Sequence, residues 1–275
     1  MKKIGIIGRG FVGSAIEFGF SPNTGCDAEV RVYDKDPSRS LNTLADTVNK
    51  SDFLFVSVPT PASTGGSINL DIVYSIMSEI NEISNRDNII ILRSTVVPGT
   101  TETLQGRFPK LNIVFSPEFL TERSAKADFI NQARFIIGGK EANTNKVANL
   151  FKWRFGKNIP TVETTFETAE LIKYMNNCFF ATKVSFMNEM RLISDACGAN
   201  WDEAVEGFVR DGRVVHSHVA VPGPDGKRGF GGSCFPKDVQ AMIGFAEEMG
   251  IVPTTLKGAW ETNLKVRPEK DWEHK

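Results

Sequence analysis

Along the first half of the chain, short apolar runs alternate with stretches whose apolar residues return every three to four positions. Lys3–Ile7, Val30–Tyr33, Phe53–Val58, Ile89–Leu92, Ile113–Phe115 and Phe135–Ile137 read as buried strands. Between two of them, Ile72, Val73, Ile76, Met77, Ile80 and Ile83 keep helical spacing. This alternation predicts an α/β domain over residues 1–165, with a parallel sheet wound on both faces by helices. The pattern then changes. Phe166 to Cys197 contains neither Gly nor Pro and Gly198 follows as a C-cap, which predicts one long helix. A helix is expected over Trp201–Val209, a loop over the Gly- and Pro-rich Val221–Gly232, and helices again over Asp238–Met249 and Pro253–Leu264. The charged tail Arg267–Lys275 reads as frayed. Residues 166–275 are therefore expected to form a second, mainly helical domain.

Composition narrows the function classes. The 275 residues suffice for two ordinary domains. With a net charge of -1 and no basic run, nucleic acid is not an expected partner. The four cysteines, Cys26, Cys178, Cys197 and Cys234, show neither CxxC nor His/Cys ligand spacing, so neither a disulfide framework nor a zinc site is expected. His216 and His218 lack companion ligands, and no metal is expected there. No apolar run approaches the roughly 18 residues of a membrane span, and MKKIGIIG reads as a strand rather than a leader. A cytoplasmic protein without a membrane partner is expected.

The first chemical motif is Gly8-Arg-Gly10-Phe11-Val12-Gly13, which follows the first strand and opens a helical pattern. Gly8 permits a tight turn, Gly10 lets backbone approach a pyrophosphate, and Gly13 lets the helix pack close to the strand. The helix N-terminus offers N–H groups to phosphates. Asp34 ends the next strand about 20 residues on, where a carboxylate accepts hydrogen bonds from a ribose diol and repels a 2′-phosphate. These features predict a Rossmann-type site for NAD rather than NADP, with Phe11, Val12 and Lys35 beside it. Val58-Pro59-Thr60-Pro61 ends the third strand, at the sheet edge where such folds bind ligands.

The second motif is Arg228-Gly-Phe-Gly-Gly-Ser-Cys-Phe-Pro-Lys-Asp238. Gly231 and Gly232 permit unusual backbone angles and close ligand approach. Cys234 is expected where this loop meets the helix beginning near Asp238. A helix N-terminus with Lys237 alongside favours a thiolate nucleophile. On the long helix, Lys173 and Asn177 are four apart and share a face, so together they can hold an oxyanion. Asp238 can orient or deprotonate water with Lys173. Glu118 and Glu122 are likewise four apart.

These segments, together with RSTVVPGTT at 93–101, SPEFLTE at 116–122, AELIKYMNN at 169–177 and FMNE at 186–189, resemble the UDP-glucose/GDP-mannose dehydrogenase family in content and order, from Met1 to about Asn263. The resemblance implies a four-electron, NAD-dependent oxidation of a nucleotide sugar, UDP-glucose above all. A primary alcohol becomes an aldehyde, Cys234 captures it as a thiohemiacetal, a second oxidation gives a thioester, and water releases a carboxylate. It implies that Glu118 and Thr95 activate that water, that Thr95 also lies at the cofactor, and that Glu118, Lys173 and Asn177 also bind the substrate. It also implies that Glu122 lies at substrate and cofactor, and that Phe119, Leu120, Phe230, Gly231 and Arg213 line the substrate site. It further implies a homodimer built on the helix 166–197. The family's usual C-terminal, nucleotide-closing domain is expected to be missing here. Ser116 stands where the family has Asn, Arg123 where it has Gly, and the segment from Arg213 to Gly229 is longer. Two other readings compete: a two-electron β-hydroxyacid dehydrogenase, which has no use for GGSC, and a non-catalytic NAD-binding remnant.

Overall fold

The computed structural model describes residues 1–63 and 66–273. By its internal contacts the chain divides into two units, one of Met1–Pro61 and Asn69–Lys173, the other of Ala62–Ile68 and Tyr174–Lys275.

The first unit runs β1 (Lys2–Ile7), α1 (Phe11–Gly19), β2 (Ala28–Tyr33), α2 (Leu44–Asn49), β3 (Phe53–Val56), α3 (Asp71–Ile83), β4 (Ile89–Leu92), α4 (Thr100–Arg107), β5 (Asn112–Phe115), α5 (Ala125–Ile130), β6 (Phe135–Gly139), α6 (Glu141–Phe155) and β7 (Thr161–Thr164), ending in the first turns of α7 (Phe166–Cys197). The seven strands form one sheet in the order β2-β1-β3-β4-β5-β6-β7. The expected doubly wound α/β fold is present, with two corrections. The sheet is not parallel throughout, since β6 runs antiparallel to β5. β7, paired with β6, was not expected from the sequence. Its four residues TVET contain no apolar run and none is buried, as suits a polar edge strand. β3 also stops at Val56, two residues short of the expected end.

Strand residues divide between the two faces with period two. Ile4, Ile6, Phe53, Phe55, Ile89 and Ile91 meet α1, α5 and α6 through Ile16, Phe129 and Phe151. Leu54, Val56, Ile90 and Leu92 meet α3, α4 and the start of α7 through Val73, Ile76, Leu104 and Ala169. Each large aliphatic side chain buried this way contributes about 1.5–3 kcal/mol of transfer free energy. The register also aligns the strand ends. Ile7 lies opposite Tyr33 and Val56, Val56 opposite Leu92, and Leu92 opposite Phe115. The loops after β1 to β5 therefore leave the sheet from one row.

The second unit holds the rest of α7, then α8 (Trp201–Val209), α9 (Phe235–Glu248) and α10 (Thr254–Val266). Asn200 caps α8 through the N–H groups of Asp202 and Glu203. Met187, Val209, Val219 and Val221 form a small core. The helix expected from Asp238 starts at Phe235 instead, because Pro236 is at home in a first helical turn. Cys234 is therefore the N-cap residue. Among the described residues, no helix is long and apolar enough to cross a membrane, and no cluster of three His, Cys, Asp or Glu side chains could hold a metal ion.

The expectation of a frayed tail is overturned for residues 267–273; positions 274 and 275 lie outside the described residues. Arg267 is 2% exposed. Its guanidinium donates to Asp225 at 2.7 Å and to both oxygens of Asp271 at 2.8 and 2.9 Å. It sits against Gly231, where a Cβ would overlap it. A charge count of the tail hides this, because the tail's cation is balanced by an acid in a loop 42 residues earlier.

Arg267→Ala should strand two carboxylates and loosen the loop they hold. Both acids stay partly in water, so the expected loss of stability is moderate, about 2 kcal/mol in urea denaturation. A loss below about 0.5 kcal/mol, the range of an ordinary surface substitution, would mean that the clasp is not structural.

Candidate active site

In the first unit, the glycine turn is built as its spacing requires. Gly8 has φ 90°, and its N–H donates to the Tyr33 carbonyl at 2.9 Å. A Cβ on Gly13 would overlap the Gly8 carbonyl oxygen, whereas one on Gly10 would meet nothing within 4 Å. The approach to the backbone at Gly10 is thus open. No side chain caps α1, and its first turn carries no acid. Phe11 and Val12 begin that helix, half-buried. At the end of β2, Asp34 accepts from Arg9 N at 2.5 Å and from Asp36 N at 2.9 Å, which fixes its carboxylate beside the turn. Lys35 is exposed. Beyond β3, Pro59 is exposed and Thr60 buried, and Ser94 Oγ ties that loop by bonding Val58 N and O at 3.0 and 2.7 Å. Thr95, half-buried, follows β4. An uncapped helix end, an open glycine and an acceptor on the next strand are the donor and acceptor set that a dinucleotide needs.

After β5 comes a group of buried charges. Glu118 is 6% and Lys173 4% exposed. Lys173 Nζ donates to Glu118 Oε1 at 2.7 Å and to its carbonyl at 2.6 Å, while Leu120 N donates to Oε2 at 2.7 Å. The Phe119 ring faces Lys173 and Arg134, whose cationic centres lie 5.5 and 4.7 Å from its centroid. Glu118 is in a loop and exposed Glu122 opens a 3₁₀ turn, Glu122–Ser124, so their four-residue spacing is not helical.

Two further residues of this group went unassigned in the sequence. Arg93 is 1% exposed at the end of β4 and donates to Ser116 Oγ at 3.1 Å. Its Nε and Nη2 find no hydrogen-bond partner among the described residues. Burial pushes it down to about 10, against the pull of Glu118. Glu170, fully buried on α7, accepts from Gly99 N at 2.7 Å, Thr101 N at 2.8 Å and Thr101 Oγ1 at 2.5 Å. It caps α4, whose own N-cap, Gly99, has no side chain to offer. The available signals were an arginine directly after IIIL and a glutamate one turn before Lys173.

In the second unit, Asp238 is 1% exposed and doubly held. Asn177 Nδ2 donates to its Oδ2 at 2.6 Å and Lys237 Nζ to its Oδ1 at 2.7 Å. Cys178, buried against the same residue, is pushed up to about 12 by burial and by the Asp238 charge, which suits an inert thiol. Cys234 is half-buried, with Ser233 Oγ 3.8 Å from its sulfur. The loop before it is fixed by two buried amides. Asn263 exchanges hydrogen bonds with both backbone groups of Phe230 at 2.7 and 2.9 Å, and Asn188 accepts from Gly229 N at 3.1 Å. Phe230 is buried among Phe235 and Trp260. Arg213 is exposed and folds back onto Asp211.

Comparison with known proteins matches both parts of the chain to one family. Residues 38–153 match the NAD binding domain of the UDP-glucose/GDP-mannose dehydrogenase family, and residues 167–265 match its central domain. The UDP-glucose 6-dehydrogenase of Rickettsia typhi is 31% identical over 86% of this chain and 55% of its own length. UDP-glucose 6-dehydrogenase TuaD of Bacillus subtilis is 31% identical over 97% of this chain and 64% of its own. The chain thus spans between half and two thirds of these relatives. Among solved structures, a UDP-glucose dehydrogenase from Pyrobaculum islandicum superposes with a TM-score of 0.84 at 27% identity, covering 96% of this chain and 68% of that one.

The buried Glu170 yields a pH prediction. Three donors favour its carboxylate, but burial outweighs them and raises its pKa from 4.5 to about 7. The folded chain therefore binds this proton more tightly than the unfolded chain. Its contribution to stability is fully present below the unfolded value and is lost as pH rises through the folded one. Glu170→Gln lacks this titration. The stability of the wild-type protein relative to that variant should fall as pH rises from about 5 to about 8 in urea denaturation. A difference independent of pH would show that Glu170 stays ionised.

Proposed function

The chain belongs to the UDP-glucose/GDP-mannose dehydrogenase family, and from that premise we propose that it oxidises the primary alcohol of a nucleotide sugar, UDP-glucose first, to a carboxylate in two NAD-dependent steps. Bound NAD accepts one hydride in each oxidation. The observation that carries the reading is the position of Cys234 as the N-cap of the 14-residue α9, between a glycine loop and a helix whose first amides stabilise negative charge.

In this reading Asp34 takes the ribose hydroxyls, with Phe11, Val12, Lys35, Pro59 and Thr60 around the cofactor. Cys234 adds to the aldehyde to give a thiohemiacetal, which keeps a transferable hydrogen. Its oxidation leaves a thioester, and a water activated by Glu118 and Thr95 releases carboxylate and thiol. Lys173 and Asn177 are donors for the oxyanions of these steps, and Asp238 is the proton acceptor beside Asn177. Glu122, Phe119, Leu120, Phe230, Gly231 and Arg213 contact the substrate. Residues 1–165 form the NAD-binding domain in this reading, and residues 166–275 carry the sulfur nucleophile. The proposed setting is the cytoplasm, where reducing conditions keep the thiol intact.

A homodimer through α7 belongs to the same reading. Met175, Phe179, Phe186 and Ile193 are exposed at spacings of four, seven and seven, a single apolar stripe along a helix of 32 residues. A second copy of the helix would cover it.

Two measurements test these proposals. Wild-type protein given UDP-glucose and NAD should release the sugar acid with two NADH per turnover, and acid quenching should trap an adduct at Cys234. Cys234→Ser should still bind NAD but form carboxylate roughly a hundredfold more slowly or worse, since a serine hydroxyl without its own base attacks poorly. Native-rate carboxylate formation by that variant would exclude the thioester route. In light scattering, the wild-type should run as a dimer at micromolar concentration and Phe179→Glu as a monomer. A monomeric wild-type would remove α7 as the interface.

A further inference from the structure

A cleft of about 410 Å³ opens in the first unit between the start of α1 and the stretch from Glu122 to Ala127. Its existence follows from how closely α5 lies on α1. Gly19 has no side chain, and the Phe129 ring occupies the place where a Cβ would be. Small residues then leave room at the other end of the pair, where Ser14 of α1 faces Ser124 and Ala125, with Phe11 beside them.

The charges of this cleft are unbalanced. The guanidinium nearest the glycine turn, Arg9, is engaged by Glu17, with both contacts at 2.8 Å. The first turn of α1 carries no acid. Across the cleft stand Arg123 and Lys126, both exposed and neither in an ion pair among the described residues. Lys126 Nζ lies 5.4 Å from the centre of the Phe18 ring of α1. Glu122 is the acid among the lining residues.

We propose that Arg123 and Lys126 bind the pyrophosphate of the dinucleotide from the side opposite α1. This inference rests on the NAD reading above and adds to it the residues that set affinity for the phosphates. A pyrophosphate diester carries two negative charges. The amides of α1 supply donors along one side but no full positive charge. Arg123 and Lys126, both lining the cleft and in no ion pair among the described residues, supply that charge. The guanidinium can take two phosphate oxygens at once, and the ammonium acts as a mobile point charge. Because both cations are exposed, each contact is screened by water and salt.

Calorimetric titration of the whole protein with NAD⁺, ADP-ribose and adenosine tests the assignment. ADP-ribose keeps the pyrophosphate and adenosine lacks it. Arg123→Gln or Lys126→Gln alone should weaken NAD⁺ and ADP-ribose about threefold each, and the double variant about tenfold, as for two exposed charge contacts. Adenosine should bind all four proteins alike, and the salt dependence of NAD⁺ binding should flatten in the double variant. Unchanged NAD⁺ affinity in the double variant would overturn the assignment while leaving the NAD reading intact. An equal loss for adenosine would overturn it too, because the substitutions would then act through the fold. A wild-type protein that binds no NAD⁺ would overturn both.

Discussion

Burial of charge at the start of α7 is the constraint on which the carboxyl edge of the sheet depends. Glu170 and Lys173 lie one turn apart on that helix and neither reaches water. An unpaired ion in such a place costs several kcal/mol, so each must hold a partner. Glu170 holds the first amides of α4, and Lys173 holds both the carboxylate and the carbonyl of Glu118. The loop after β4, which carries Thr95, and the loop after β5, which carries Glu118, are thereby pinned to one helix. If α7 moved by a fraction of a turn, it would strand a buried ammonium, a buried carboxyl group and two helix-end amides at once. That penalty is what makes the loop positions rigid, and the parallel register of the strands beneath them is what brings those loops to one edge.

How much of this the sequence discloses depends on whether the signal is local. The continuous apolar runs of β3 and β4, buried on both faces of the sheet, and the helical spacing in α3 are plain in the residue order. The glycine turn is legible for the same reason, since Gly8 and Gly13 answer to contacts within a few residues or with the neighbouring strand. Arg93 and Glu170 were quoted within motifs yet received no role, because a buried charge looks like a surface charge until its partner is known, and their partners lie 23 and about 70 residues away. Arg267 misled in the same way: a tail rich in charge reads as solvated unless one knows that Asp225 closes on it. β7 was missed because an edge strand needs no apolar face.

The glycine-rich loop before Cys234 illustrates a different kind of constraint. A segment with so many glycines has high entropy when free, and ordering it needs compensating contacts. The second unit supplies them through backbone groups rather than side chains. Asn263 satisfies both the N–H and the carbonyl of Phe230, and Asn188 satisfies Gly229. The missing side chains of Gly229 and Gly231 are what let Asn263 and Arg267 come so near. The glycines here serve close packing under the loop as much as access from above it. Loop order and the reach of a ligand to the loop therefore have separate causes, and a substitution at Gly231 would disturb the first before the second.

The electrostatics around Cys234 also differ from what its neighbours in sequence suggest. Lys237, three residues on, looks like a cation for the sulfur. Its ammonium is instead 2.7 Å from Asp238 Oδ1, and that carboxylate is also bound by Asn177. Seen from a few ångströms away, the lysine and aspartate nearly cancel. The first amides of α9, which no side chain caps, add a positive potential at the N-cap position. That source has two properties a lysine would lack. It is fixed in direction by the helix, and it cannot lose its charge as pH changes. In the thioester reading proposed above, a cysteine at that end would meet the same field in every step in which its sulfur gains and loses negative charge.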